Sequence, residues 1–399
     1  MEYVKYIPNK KKTGKLNKET ELFSSSETNK VYKFHLSMGD AYNQTPLVNL
    51  SGLADELALN SLHVKDESKR GALKAFKLLG GSYAVANLIC SKLGVNIKDI
   101  DFDYLKSDEV KKKLGDLTFA AASDGNHGKS VAWAANAFNQ KSIVYMPKGT
   151  AKDRIEAIQS LGGEVVVSDY NYDWCVSEVN TLSQEKGWEV VLDTISEGEA
   201  EAPIWVMQGY TTMAREAIKQ LNGEVPTHVF LQAGVGSMAA AVTATLVNHY
   251  KKDCPKIYIL EPHEAACYFE SAAADDGKPR SVEGEMDSIM AGLACGVPNP
   301  ISWEIIRNFA EGFFSCDDIL TANGMRILAN PKLNDQKIMS GESGAVGTGF
   351  LDYLMRHEKS TAEKIGLNEK SKVLLFSTEG DTDTVNYRDI VWYGKYNFK

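Results

Sequence analysis

From residue 62 onward, short β-rich runs alternate with longer segments of helical period. The runs cover 62–65, 118–122, 142–146, 164–167, 189–192, 227–231, 256–260 and 372–376. Between them apolar positions recur at helical spacing: Val131, Ala134, Ala135 and Phe138 stand at i, i+3, i+4 and i+7 and share one helix face. Alternation of this kind builds βαβ units, so the pattern predicts an α/β protein of mostly parallel twisted sheets with flanking helices. The strands form two groups, one between 118 and 192 and one from 227 onward, separated by a loop around 197–203. Two α/β lobes with a cleft between them follow, a small one at 67–204 and a large one made of 1–66 and 205–399. Residues 1–30 are polar and rich in Lys, Asn and Ser, and read as a loosely packed arm.

Composition narrows the partners. A net charge of −9 over 399 residues argues against nucleic acid and anionic membrane, both of which are approached through basic patches, and leaves a small molecule as the expected ligand. The six cysteines (Cys90, Cys175, Cys254, Cys267, Cys295, Cys316) stand far apart with no C-x-x-C pair and no histidine at ligand spacing, so no metal site is expected. Reduced thiols in the cytoplasm are the expectation, with a Cys267 to Cys295 bridge left open. The first residues lack the apolar stretch of a signal peptide, and no run approaches the ~18 apolar residues that span a bilayer.

Four stretches carry chemistry. In Ala75-Phe76-Lys77-Leu78-Leu79-Gly80-Gly81 a lysine follows an aromatic residue at a helix mouth, in apolar surroundings that disfavour the ammonium form and so suit a Schiff-base lysine. Lys74, three residues earlier, is the competitor. A lysine in such a place is usually a surface helix residue; what lifts Lys77 is its company. In Ser123-Asp124-Gly125-Asn126-His127-Gly128 the chain leaves a strand, turns, and enters a helix whose first N–H groups suit a substrate carboxylate. There Asn126 can bond a ring oxygen, and His127 reads as an orienting residue; alone, the turn is as well explained by a helix cap. Gly234-Val235-Gly236-Ser237-Met238 likewise links a strand to a helix. With Ala239 where G-x-G-x-x-G needs glycine, it fits a phosphate monoester better than a dinucleotide. Finally Phe376-Ser377-Thr378-Glu379-Gly380-Asp381 leaves the last strand, where a hydroxyl would meet a pyridine nitrogen without fully protonating it.

In this order the motifs resemble the fold-type II, tryptophan-synthase-β-like family of pyridoxal 5'-phosphate (PLP) enzymes, over about residues 65–383. The resemblance implies a cofactor in the interdomain cleft. Lys77 would carry it, Asn126 meet its ring, Gly234, Val235, Gly236, Ser237 and Met238 hold its phosphate, and Ser377, or else Thr378, face its nitrogen. Ser123, Asp124, Gly125 and His127 would take the substrate. Asp124, Leu192-Asp193-Thr194, Met207-Gln208-Gly209-Tyr210 and the stretch from Ser377 to Asp383 together look like the diaminopropionate ammonia-lyases, which release pyruvate and two ammonia from D- and L-2,3-diaminopropionate. On that resemblance Lys77 is expected to serve the L-isomer as base and Asp124 the D-isomer from the other face, with Asp193 holding the β-ammonium or assisting the base. A homodimer is implied as well. The alternatives are a serine/threonine dehydratase of the same fold and, in another class, a non-catalytic nucleotide-binding α/β protein.

Overall fold

The computed structural model describes residues 2–123, 125–195, 201–332 and 334–398, and it divides the chain into two compact units. One comprises 1–24, 44–69 and 213–399; the other comprises 25–43 and 70–212. Compared with the expected division, the segment 25–43, which carries the helix Ser25–Ser37, and residues 205–212 go with the second unit, and 67–69 go with the first.

Among the described residues the strands are β1 (Val4–Pro8), β2 (Leu47–Asn49), β3 (Ser61–Asp66), β4 (Thr118–Ala122), β5 (Lys141–Met146), β6 (Glu164–Val167), β7 (Glu189–Val190), β8 (His228–Gln232), β9 (Lys256–Pro262), β10 (Gly312–Cys316) and β11 (Lys372–Ser377). The first unit holds a seven-stranded sheet in the order β1-β10-β9-β8-β11-β3-β2. Its five central strands are parallel and its two edge strands antiparallel. Strands β8 and β10 are buried at every position, as parallel strands covered on both faces are; β8 lies within one of the runs read from sequence, shifted by one residue, and β10 is a strand the sequence reading did not find. Phe230, Tyr258, Phe314 and Phe350 fill the core on one face, with Phe350 4.7 Å from Phe314 and 5.2 Å from Phe230 between ring centres. The second unit holds the parallel sheet β6-β5-β4-β7. The expected face of Val131, Ala134, Ala135 and Phe138 is buried there on the helix Asn126–Ala137 and just beyond it.

Two expectations need correction. The N-terminal residues are not a loose arm: β1 pairs antiparallel with β10 from Val4↔Cys316 to Pro8↔Gly312. Asn17 then caps the short helix Lys18–Glu21 in a reciprocal capping box, and Asn248 donates to the carbonyls of Thr20 and Phe23. Likewise 201–203 is not loop. Glu201 opens the helix Glu201–Gln220, with Pro203 in the first turn, where its missing N–H costs nothing; 196–200 lie outside the described residues.

Candidate active site

In the second unit, Lys77 is the first residue of the helix Lys77–Leu93, directly after β3 and two short turns. Its Nζ donates to Asp193 Oδ2 at 2.5 Å, and both side chains are largely buried. The ammonium also lies over two aromatic rings, 5.4 Å from the centre of Phe76 and 5.7 Å from that of Tyr210. This environment separates Lys77 from Lys74, which is exposed and sits in the left-handed region at φ 52°. The glycine pair after Lys77 does what its sequence suggests. A side chain on Gly80 would collide with the Tyr210 ring and one on Gly81 with Ser130, so the two glycines let the Lys77 helix press against both neighbouring helices.

Asp193 follows β7, three residues beyond its end. Burial would push its carboxyl up, but the Lys77 charge, the nearby His127 and the Lys77 hydrogen bond outweigh burial and hold it at about 2. His127, in the first turn of the helix Asn126–Ala137, places Nε2 2.8 Å from the Val191 carbonyl. A carbonyl only accepts, so Nε2 carries the proton and Nδ1 is left as a buried acceptor with no partner among the described residues. Burial lowers the His127 pKa against the pull of Asp193, which keeps the ring neutral. Ser123 Oγ accepts from the N–H groups of Gly125 (3.0 Å) and Gly128 (2.8 Å), so this hydroxyl shapes the turn. Asn126 is half-buried at the helix start; Asp124 lies outside the described residues. The Tyr210 hydroxyl is buried beside Lys77 in this same group. Sequence reasoning placed Tyr210 in a motif but gave it no role.

In the first unit the loop Gly234–Met238 joins β8 to the helix Ser237–Tyr250. Gly236 adopts φ 89°, and a side chain there would run into the Tyr268 phenol. The loop's carbonyls are held from outside: that of Val235 accepts from Tyr268 Oη at 2.9 Å and from the Asn299 N–H at 2.9 Å, and that of Gly234 from Cys267 Sγ at 3.9 Å. Ser237 Oγ accepts from Asn299 Nδ2 at 3.2 Å. The first N–H groups of the following helix have no intrahelical partner, so the loop is a set of donors at the positive end of a helix dipole. That donor set fits a phosphate monoester. Tyr268 and Asn299 were missed by the sequence reading, because nothing in the loop's own residues indicates what braces it.

Strands β8 and β11 are neighbours, which brings the end of β11 beside this loop. Gln232, the last residue of β8, donates to Phe376 O (2.8 Å), Ser343 O (3.1 Å) and Thr378 Oγ1 (3.2 Å). Ser377 Oγ is fully buried and donates to Ser340 Oγ at 2.8 Å, and Ser340 in turn donates to the Gly341 carbonyl. This is a hydroxyl pair suited to a weakly basic ring nitrogen. All six cysteines are thiols, including Cys267 and Cys295, which flank Gly234.

A buried lysine held by a carboxylate in one unit and, in the other, a loop of donors that fits a phosphate monoester and a strand-end hydroxyl are features found in fold-type II PLP enzymes. The chain belongs to the family of pyridoxal-phosphate dependent enzymes, whose profile matches residues 38–377. It is 48% identical over 385 residues to the diaminopropionate ammonia-lyase of Escherichia coli (strain K12), covering 95% of each chain. The crystal structure of holo diaminopropionate ammonia lyase from E. coli superposes with a TM-score of 0.92 at 45% identity, over 99% of this chain and 98% of that one. A biosynthetic L-threonine dehydratase of E. coli is 28% identical over 326 residues, 80% of this chain and 54% of the dehydratase.

Proposed function

We propose that the protein catalyses the PLP-dependent α,β-elimination of D- and L-2,3-diaminopropionate to pyruvate and two ammonia. Near end-to-end similarity to the ammonia-lyases supports the reaction class. The observation in the site that carries the reading is Asp193, a buried carboxylate kept ionised beside Lys77, because a diamino acid brings a second ammonium that needs such a partner.

The bound cofactor supplies an aldehyde that takes the substrate amine and a ring that spreads the electrons left at Cα. The residues do the rest. Lys77 holds the cofactor through Nζ, and once displaced removes the Cα proton of the L-isomer. Asp124 does the same for the D-isomer from the opposite face, since one base cannot reach both. Asp193, released from Lys77, accepts hydrogen bonds from the β-ammonium, which leaves as ammonia without needing an added proton. Ser123, Gly125 and His127 shape the turn that takes the substrate carboxylate, and Asn126 meets the ring oxygen. Gly234, Val235, Gly236, Ser237 and Met238 hold the phosphate, while Ser377, or else Thr378, faces the ring nitrogen. Water then converts the released enamine to pyruvate and the second ammonia. We take the two units as the large and small domains, and we infer a homodimer acting in the cytoplasm.

The test is pyruvate release by PLP-loaded protein given D- and L-2,3-diaminopropionate in separate reactions beside L-serine and L-threonine. Fast turnover of both diaminopropionate isomers is expected. Turnover chiefly of serine or threonine would make the protein a dehydratase instead.

A further inference from the structure

The loop Gly234–Met238 departs from an all-glycine phosphate loop at three of five positions, yet its hydrogen-bonding polarity is fixed by residues outside it. A peptide unit is planar and trans, so the carbonyl of one residue and the N–H of the next point in opposite directions. Two donors hold the Val235 carbonyl, the Tyr268 hydroxyl and the Asn299 N–H, each at 2.9 Å. Fixing that carbonyl aims the Gly236 N–H the other way.

Asn299 also sets the hydroxyl beside it. Its Oδ1 accepts from the N–H groups of Ile301 (3.0 Å) and Ser302 (3.4 Å) as the cap of the helix Pro300–Phe309, which identifies Nδ2 as the atom facing Ser237. Since Nδ2 donates to Ser237 Oγ at 3.2 Å, the Ser237 proton is directed away from Asn299. Tyr268 and Asn299 are both fully buried. Tyr268 is itself fixed, its N–H donating to Glu261 Oε1 at 2.8 Å and its ring packing 5.9 Å from Trp303. Neither residue lies in a motif.

We propose that Tyr268 and Asn299 are positioning residues that aim the Gly236 N–H and the Ser237 hydroxyl, making the loop a donor-only seat for the phosphate monoester of the cofactor. The proposal rests on the reading that this loop holds the phosphate. It predicts that the two residues govern how tightly the phosphate is held without altering the bond to Lys77. Losing one such neutral hydrogen bond, worth about 1 kcal/mol, corresponds to a roughly fivefold to tenfold faster release of PLP.

The experiment uses purified holoenzyme of the wild type, Tyr268→Phe, Asn299→Asp and Ser237→Ala. Tyr268→Phe keeps the ring that packs on Gly236, and Asn299→Asp keeps the helix cap, so neither removes the packing of the region. PLP release into a trapping solution, the phosphorus resonance of bound PLP and the visible absorbance of the lysine-bound cofactor are followed together. Expected is faster release and a shifted phosphorus resonance in all three variants, with the absorbance maximum unchanged. If Ser237→Ala alone releases PLP faster, or if release quickens in Tyr268→Phe and Asn299→Asp while the phosphorus resonance stays in place, the positioning role is wrong and the phosphate seat stands. If Ser237→Ala also behaves as wild type, the seat itself is wrong and the proposal falls with it.

Discussion

Lys77 Nζ and Asp193 Oδ2, 116 residues apart in the chain, meet at 2.5 Å in a largely buried pair. The depressed Asp193 pKa means the carboxyl is ionised throughout the working range. The stabilisation from this pair is present above the ordinary carboxylate value of 3.8 and is lost only as pH falls through about 2. Asp193→Asn removes the charge but keeps the shape. A hydrogen bond to a charged group is worth about 1.5–3 kcal/mol, so kcat/KM for diaminopropionate should fall roughly 10- to 100-fold, while residual turnover of serine changes much less. Equal losses on both substrates would show that Asp193 does not read the β-ammonium.

Lys77 and Lys74 are separated by environment. Lys77→Ala should abolish the visible absorbance of the lysine-bound cofactor and reduce pyruvate release to background. Lys74→Ala, altering an exposed side chain outside the helix, should leave both intact. A Lys77→Ala protein that stays yellow after desalting would move the assignment.

Asp124 is tested by stereochemistry. Asp124→Asn should abolish turnover of D-2,3-diaminopropionate and spare the L-isomer, as read by pyruvate release from each enantiomer. Loss of the L-isomer with the D-isomer spared would invert the assignment of the two bases.

Most of the parallel strands were legible because each is a compact apolar run, and β4 and β6 begin and end where their residues predict; β10, Gly312-Phe313-Phe314-Ser315-Cys316, was missed because glycine, serine and cysteine interrupt its apolar run although every position is buried. The antiparallel edge strand β1 was hidden because Val4-Lys5-Tyr6-Ile7-Pro8 owes its order to β10, some 300 residues away, and the surrounding lysines dominate its composition. The same distinction runs through the site. Lys77, the Ser123–Gly128 turn and the Gly234–Met238 loop are local patterns of backbone and side chain. Tyr268 and Asn299 act on the loop from other segments, and Gln232 ties β8 to the end of β11; only the fold brings these residues together.

Glu261, fully buried on β9, offers a measurable titration. Burial lifts its carboxyl to about 8, although the N–H groups of Tyr268 (2.8 Å) and Phe269 (2.7 Å) pull the other way. The folded protein therefore binds a proton at Glu261 that the unfolded chain, with an ordinary value of 4.5, has already lost across the intervening range. The stabilisation from this proton is fully present below about 4.5, declines as pH rises through the window, and is gone once pH passes about 8. Glu261→Gln cannot titrate and turns an amide N–H toward a donor it formerly accepted from, so it should be less stable than wild type at pH 5, where wild-type Glu261 is protonated in the folded state. The difference in melting temperature between the two proteins should shrink between pH 5 and 8 and then level off. A constant difference over that range would mean that Glu261 is ionised in the folded state, with its two amide hydrogen bonds outweighing burial.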